Sequence, residues 1–351
     1  MRTLDGVIER AADPSGMLEI AMSLPRQLRE GWRLGREADL APRPGRPAHL
    51  VIVGLGGSAI GADLLAAAVG ARLPFPIAVV RDARLPTYIG PQSLVVASSY
   101  SGETDETVEA AEAALDAKAP LLAVTSGGRL AALAEQRRQT VVLVPGGLPP
   151  RAALGYLLGP MLAVLERWDV CPPCAADVEE AARTLDALSG GLGPASSEDH
   201  NAAKRLARRL DGRIPVVYAA SPEVEPAARR WKSQFNENSK TVAAWHAFPE
   251  AAHNEVVGWG AAPEITALLE MVVLFSGGEG DRARRLLAAA REVMPRGVGV
   301  HEVAGCGDSL LARLLSLVFI GDLTSVYLAY LRGVDPTPIE AITALKRRMR
   351  G

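Results

Sequence analysis

Little in this chain of 351 residues points to an oxidising, membranous or nucleic-acid setting. Three cysteines, Cys171, Cys174 and Cys306, are too few for a disulfide framework, which fits a reducing compartment. No apolar stretch follows the basic residue of MRTLDGVIERAADP, so no signal peptide is expected. The most apolar late segment, Leu314 to Leu331, is interrupted by Asp322 and reads as too short and too polar to span a bilayer. Charge of one sign is also missing. Lys and Arg number 38 against 40 Asp and Glu, a formal net charge of -2, which speaks against a nucleic-acid or anionic-membrane partner. The expected compartment is the cytoplasm.

Metal ligands are sparse as well. Cys171-Pro172-Pro173-Cys174 has CxxC spacing, but a zinc site needs a second ligand pair, and only Cys306 and scattered histidines remain. A thioredoxin-like motif follows a strand and opens a helix. This one follows helical text in a Pro-rich stretch and reads as a loop between domains. No metal and no cofactor is expected.

What the chain does have is 48% hydrophobic residues, ample for two cores at this length. Short β-branched runs alternate with longer Ala/Leu/Arg/Glu stretches, the pattern of parallel strands covered by helices. Strands are expected at Leu50–Gly54, Ile77–Arg81, Leu94–Ser98, Leu121–Thr125 and Val141–Val144, with helices at Ile60–Val69, Thr104–Ala117 and Arg129–Arg137. The second half repeats the scheme at Pro215–Ala220, Val242–Trp245, Met271–Ser276 and Val298–Val303, followed by a helix at Ser309–Leu317. Strand starts at 94 and 121 have the same spacing as those at 271 and 298, as an internal duplication would leave them. The fold class is α/β: two doubly wound, flavodoxin-like parallel-sheet domains over 47–165 and 196–330. A helical N-terminal segment (1–46), a linker (166–195) with a Gly/Ser-rich hinge at Ser189–Ser197, and a helical C-terminal segment (331–351) complete it.

Two motifs carry chemistry. Gly54-Leu55-Gly56-Gly57-Ser58-Ala59-Ile60-Gly61 follows a strand and opens a helix, where glycine lets an anion approach unpaired N–H groups. Alone it also fits a relaxed dinucleotide pattern, with Asp82 as ribose partner, or close strand–helix packing without ligand. Ser98-Ser99-Tyr100-Ser101-Gly102-Glu103-Thr104 follows another strand and opens another helix. Hydroxyls at 99, 101 and 104 offer several neutral donors aimed at one point, as a phosphate dianion requires, whereas capping needs only one.

GLGGSAIGADLL together with SSYSGETDETV resembles the sugar-isomerase (SIS) domain. Gln234-Phe235-Asn236-Glu237-Asn238-Ser239-Lys240 and Pro249-Glu250-Ala251-Ala252-His253-Asn254-Glu255 sharpen this to a resemblance to the bifunctional phosphoglucose/phosphomannose isomerases, from about residue 50 to the C-terminus. The resemblance implies an aldose–ketose isomerase acting on glucose 6-phosphate, mannose 6-phosphate or both, through a cis-enediolate. It implies that Gly56, Gly57, Ser58, Ser99, Ser101 and Thr104 bind phosphate and that Glu237 is the base. By the same likeness His253 assists ring opening, Arg151 steadies the intermediate and Lys346 lies near the ring oxygen. It further implies a homodimer in which His253 serves the neighbouring subunit's site.

The chemistry asks for similar groups. A carboxylate can move a proton between C1 and C2, imidazole titrates in the range ring opening needs, and an arginine suits developing negative charge. His49, His200, His246 and His301 are the other histidines, and only motif position selects His253 over His246. Conventional phosphoglucose isomerases use a late Gln, whereas this chain has none after Gln234. Thr337 is the small hydroxyl of that region and the candidate specificity residue. Two other functions compete: a sugar-phosphate sensor, which would lack the base, and an NAD(P)-dependent oxidoreductase using the glycine turn.

Overall fold

A computed structural model describes residues 3–5, 12–42, 45–260, 263–293 and 298–350. The chain forms two compact units and passes between them four times. One holds Ser23–Leu185 with Gly307–Ala312, and the other Met1–Met22, Asp186–Cys306 and Arg313–Gly351.

The first unit is built on five parallel strands, β1 (His49–Val53), β2 (Ile77–Val80), β3 (Ser93–Ser98), β4 (Leu121–Thr125) and β5 (Thr140–Leu143), in the order β2-β1-β3-β4-β5. Central strands buried on both faces need apolar residues at nearly every position, and β1, β3 and β4 meet that need. Val51, Val53, Val95, Ala97 and Ala123 pack against alanines and leucines of the helices Asp105–Asp116 and Gly128–Gln136. Leu50, Ile52, Leu94, Val96, Leu122 and Val124 on the alternate face are equally buried. Small residues bring the helix Leu24–Glu37 onto Leu154–Arg167. A Cβ on Gly31 would fall 2.5 Å from Gly155 O, and one on Gly159 would fall 2.5 Å from Trp32 N.

The second unit carries four parallel strands, β6 (Ile214–Ala219), β7 (Ala244–Ala247), β8 (Leu269–Phe275) and β9 (Gly299–Ala304), in the order β7-β6-β8-β9. This winding repeats β2-β1-β3-β4, the arrangement a duplication would leave. One core lies between Val216, Tyr218, Met271 and Val273 of the sheet and Phe248, Trp259, Leu287 and Ala290.

Three expectations are corrected. Ser189–Ser197 is helical as far as Leu192, because Ala175–Leu192 continues through two exposed glycines. Beyond it Lys204 Nζ donates to Pro194 O (2.9 Å) and Ser196 O (2.7 Å), while Asn201 Nδ2 donates to Gly193 O (3.0 Å), so bonded backbone replaces a hinge. The helix expected at Ser309–Leu317 runs from Leu310 to Arg332. At 23 residues it is long and apolar enough to cross a membrane by length and composition, yet its most apolar window is wholly buried. Burial, rather than shortness, makes it a core helix. Lastly, Cys171–Cys174 is a loop, but it lies within the unit Ser23–Leu185, between the helices Leu154–Arg167 and Ala175–Leu192, rather than between domains. Both thiols are buried, 3.8 Å apart; the hydrogen bond between them, and then burial, push the Cys171 thiol up, while the same bond holds Cys174 down against the effect of burial.

Candidate functional site

The glycine turn after β1 is fixed by space as much as by conformation. Gly56 has φ 53°, in the left-handed region that glycine enters without strain. A Cβ on Gly54 would meet Ser98 O at 2.8 Å, and one on Gly57 would meet Arg151 Cα at 2.7 Å. The turn is thus held between the end of β3 and the short helix Pro150–Ala152, with the Arg151 backbone directly against the first residue of the helix Gly57–Val69. Arg151 itself is buried.

The hydroxyl run after β3 closes the other side. Tyr100 N donates to Ser58 Oγ (3.2 Å), Ser99 Oγ donates to Thr104 Oγ1 (3.1 Å) and Glu103 N donates to Ser101 Oγ (3.2 Å). Ser58 and Ser99 are buried, Thr104 is half-buried and Ser101 is exposed. Thr104 is the N-cap of Asp105–Asp116 but makes no side-chain capping bond; its hydroxyl faces Ser99 instead. The structure therefore brings Gly56, Gly57, Ser58, Ser99, Ser101, Thr104 and Arg151 together where two helices begin, a setting that favours an anion.

Two residues that sequence reasoning did not single out complete this region. Glu103 and Asp105 would repel an anion, but Arg129 Nε pairs with Glu103 Oε2 (3.0 Å) and its Nη2 with Asp105. The bonds to Asp105 and then Glu103 raise the guanidinium pKa further. Tyr100 OH donates to Pro145 O (2.7 Å) and accepts from Leu148 N (3.1 Å), anchoring the segment that leads to Arg151. Burial pushes this phenol up. The available signals were an aromatic inside a hydroxyl run and an arginine just past Gly127-Gly128. Asp82, the acidic residue of the dinucleotide pattern, accepts from Arg84 N (3.0 Å) in a local turn.

In the second unit Glu237 ends the helix Glu225–Glu237 and lines a 720 Å³ cavity with Asn236, Lys240, Asp335 and Ile339. Lys240 Nζ donates to Glu237 O (2.6 Å) and Pro336 O (3.1 Å), and Thr337 N donates to Asp335 Oδ1 (2.9 Å); Val334, Asp335 and Pro338 line the same cavity, whereas Thr337 does not. Lys346 is exposed on the helix Glu340–Arg350, and His253 is exposed on the turn Glu250–His253; neither lines that cavity. The other histidines are engaged: His49 with Ser93 (2.6 Å), His200 with Ser197 (2.9 Å), His246 with Glu255 (3.2 Å) and His301 with Glu270 (2.6 Å). Glu255 also accepts from Tyr218 OH (2.7 Å), and burial, then this bond, pushes that phenol far up. Among the described residues no group of three or more His, Cys, Asp or Glu side chains is arranged to hold a metal ion.

Comparison with known proteins gives a consistent picture. Residues 199–349 match the bacterial phospho-glucose isomerase C-terminal SIS domain family. A bifunctional phosphoglucose/phosphomannose isomerase of Caldicellulosiruptor bescii is 37% identical over 335 residues, covering 95% of this chain and 98% of that protein. A protein of the same name from Thermoplasma acidophilum is 33% identical over 307 residues, covering 88% and 91%. Among solved structures, a glucose-6-phosphate isomerase like protein from Thermus thermophilus superimposes with a TM-score of 0.62 at 22% identity, over 96% of this chain and 98% of that one, a likeness of fold.

Proposed function

This chain belongs to the family of bifunctional phosphoglucose/phosphomannose isomerases, and we propose from that premise that it interconverts glucose 6-phosphate and mannose 6-phosphate with fructose 6-phosphate. The single observation that carries the reading is the hydroxyl-lined pair of helix starts with Arg151 packed against Gly57. Ser58, Ser99, Ser101 and Thr104 hold the phosphate in this reading, supported by the neutralisation of Glu103 and Asp105 by Arg129. Neutral donors at a helix start suit a group that stays dianionic throughout the reaction.

The chemistry proposed for the remaining groups is as follows. Once the ring is open, the Glu237 carboxylate takes the proton from C2. The C–H electron pair becomes the C1=C2 bond, and the carbonyl electrons move onto O1, whose charge Arg151 stabilises. The O2 proton passes to O1, the C2=O bond forms, and Glu237 returns its proton to C1. His253 moves protons during ring opening and Lys346 lies near the ring oxygen. Glucose 6-phosphate and mannose 6-phosphate differ only at C2, so both give the same enediolate, and a small Thr337 leaves room for both faces.

We further propose a cytoplasmic homodimer with His253 supplied by the neighbouring subunit; the exposure of the His253 turn supports this. The decisive assay follows both aldose phosphates to fructose 6-phosphate with wild type and Glu237→Gln. Both conversions in the wild type and neither in the variant are expected. Tight NAD(P) binding without isomerisation would overturn the reading in favour of an oxidoreductase.

A further inference from the structure

Glu237 sits on a helix that is tied down in an unusual way. Arg230, Gln234 and Asn238 are spaced four residues apart and share one helical face. Arg230 donates to Asp322 through Nε (2.9 Å) and Nη2 (2.6 Å), and Gln234 Nε2 donates to the same carboxylate (2.9 Å). Asn238 Nδ2 donates to Ser325 Oγ (2.9 Å), and that hydroxyl donates back to Asp322 O (2.6 Å). Between these bonds Trp231 Nε1 donates to Leu317 O (2.8 Å), and a Cβ on Gly321 would fall 2.2 Å from the same nitrogen. Arg230, Gln234, Asn238, Asp322 and Ser325 are all at least 95% buried.

A buried ion pair is a poor source of net stability, because desolvation offsets most of the attraction and a well-packed apolar pair can do as well. Directional bonds do something apolar packing cannot. Leucine against leucine tolerates a small slide or rotation of one helix over another. Three successive turns bonded to Asp322 and Ser325 admit one register only. The last of these turns carries Glu237, and Lys240 Nζ fastens its carbonyl to Pro336 O on the other side.

We infer that Asp322, with Arg230, Gln234 and the Asn238–Ser325 bond, is a positioning residue that fixes the axial and rotational setting of the helix end bearing Glu237. The inference rests on the proposed role of Glu237 as the base. A base that must reach both C1 and C2 is sensitive to placement, and a displacement of about 1 Å costs about a hundredfold in rate.

The test replaces the ion pair of the lock with apolar groups of similar size, Arg230→Met/Asp322→Leu, alongside Ser325→Ala, which removes the Asn238 acceptor and the hydroxyl bond to Asp322 O, and Glu237→Gln. Melting temperature and circular dichroism report folding; kcat and KM are measured with glucose 6-phosphate. Retention of deuterium at C1 from the C2-deuterated substrate reports how well the base shields the transferred proton. The double variant is expected to stay folded but to melt below the wild type, because Gln234 Nε2 loses its acceptor, with kcat down about thirtyfold or more, KM within threefold and deuterium retention reduced. Ser325→Ala should lose about three- to tenfold in kcat in the same pattern, and it carries the test if the double variant does not fold. Folded lock variants with wild-type kcat and retention, while Glu237→Gln is inactive, would leave Asp322 purely structural and overturn the inference alone. A fully active Glu237→Gln would remove the base assignment and this inference with it.

Discussion

Alanine at position 57 probes whether the glycine turn sets Arg151. The added Cβ would lie 2.7 Å from Arg151 Cα, 2.9 Å from its N and 3.0 Å from Pro150 C, all backbone atoms that cannot rotate away. Carbon atoms rest about 3.5 Å apart, so residues 150–152 must recede by about 0.8 Å. Overpacking of this kind costs about 1–3 kcal/mol, and better helix propensity returns up to about 1 kcal/mol at the start of Gly57–Val69. Stability should therefore fall only modestly. The larger effect is on turnover, because a group aimed at a developing oxyanion loses about a hundredfold when displaced by about 1 Å. We expect kcat to drop about thirty- to a hundredfold, or about 2–2.7 kcal/mol in the barrier, with a much smaller change in KM. Gly70→Ala is the control, since its Cβ would meet only Ile77 Cδ1 at 3.8 Å, ordinary contact. Glucose 6-phosphate turnover and thermal melts of both variants decide the matter. Wild-type kcat in Gly57→Ala would refute the claim that this contact positions Arg151.

In Ser101→Ala/Thr104→Ala, loss of bonds to a phosphate held throughout the reaction should raise KM while kcat changes little. Each lost charged bond is worth about 1.5–3 kcal/mol, and an unchanged KM would rule the cup out. Mixing Glu237→Gln with His253→Ala chains tests the shared site. If base and imidazole come from different subunits, half the random dimers contain one intact site, and activity should recover to about a quarter of wild type. Recovery to no more than the sum of the separate variants would mean that each subunit supplies its own imidazole.

Much of the fold was legible because buried parallel strands must be apolar throughout, and runs such as Leu50–Val53 and Leu121–Val124 could be little else. Legibility fails at the edges and in the deepest core. Val242 begins the apolar run that reads as β7, yet it is exposed, and pairing with β6 starts at Ala244 opposite Val216. Leu310–Arg332 shows no helical period because it is buried all round, so only its first part could be read. Among the proposed site residues, the hydroxyl trio stood out by exceeding what a cap needs, whereas Arg151 and Glu237 were singled out only through a family likeness. Tyr100 and Arg129 left only faint signals, an aromatic inside a hydroxyl run and an arginine after two glycines, since the partners that define them lie 24 to 48 residues away. The four-residue spacing of Gly31 and Gly35, and of Gly155 and Gly159, stood in the sequence, but neither pair has meaning without the other helix.

The division of the chain also bears on how the protein is made and inherited. Gly307–Ala312 belongs to the unit formed by Ser23–Leu185, and within it the backbone N–H groups of Asp308 and Ser309 donate to the Glu180 carboxylate (2.6 and 3.0 Å). During synthesis the five-stranded sheet can assemble as soon as its strands leave the ribosome, yet its unit lacks a part for the about 6–25 s that the intervening stretch takes at typical elongation rates. Glu180 waits in solvent for that time. The same arrangement restrains recombination. A crossover after residue 185 would carry away the strands and leave behind the unit's last six residues, so exchanging this unit between genes takes four coordinated breakpoints, and the two sheets are passed on together.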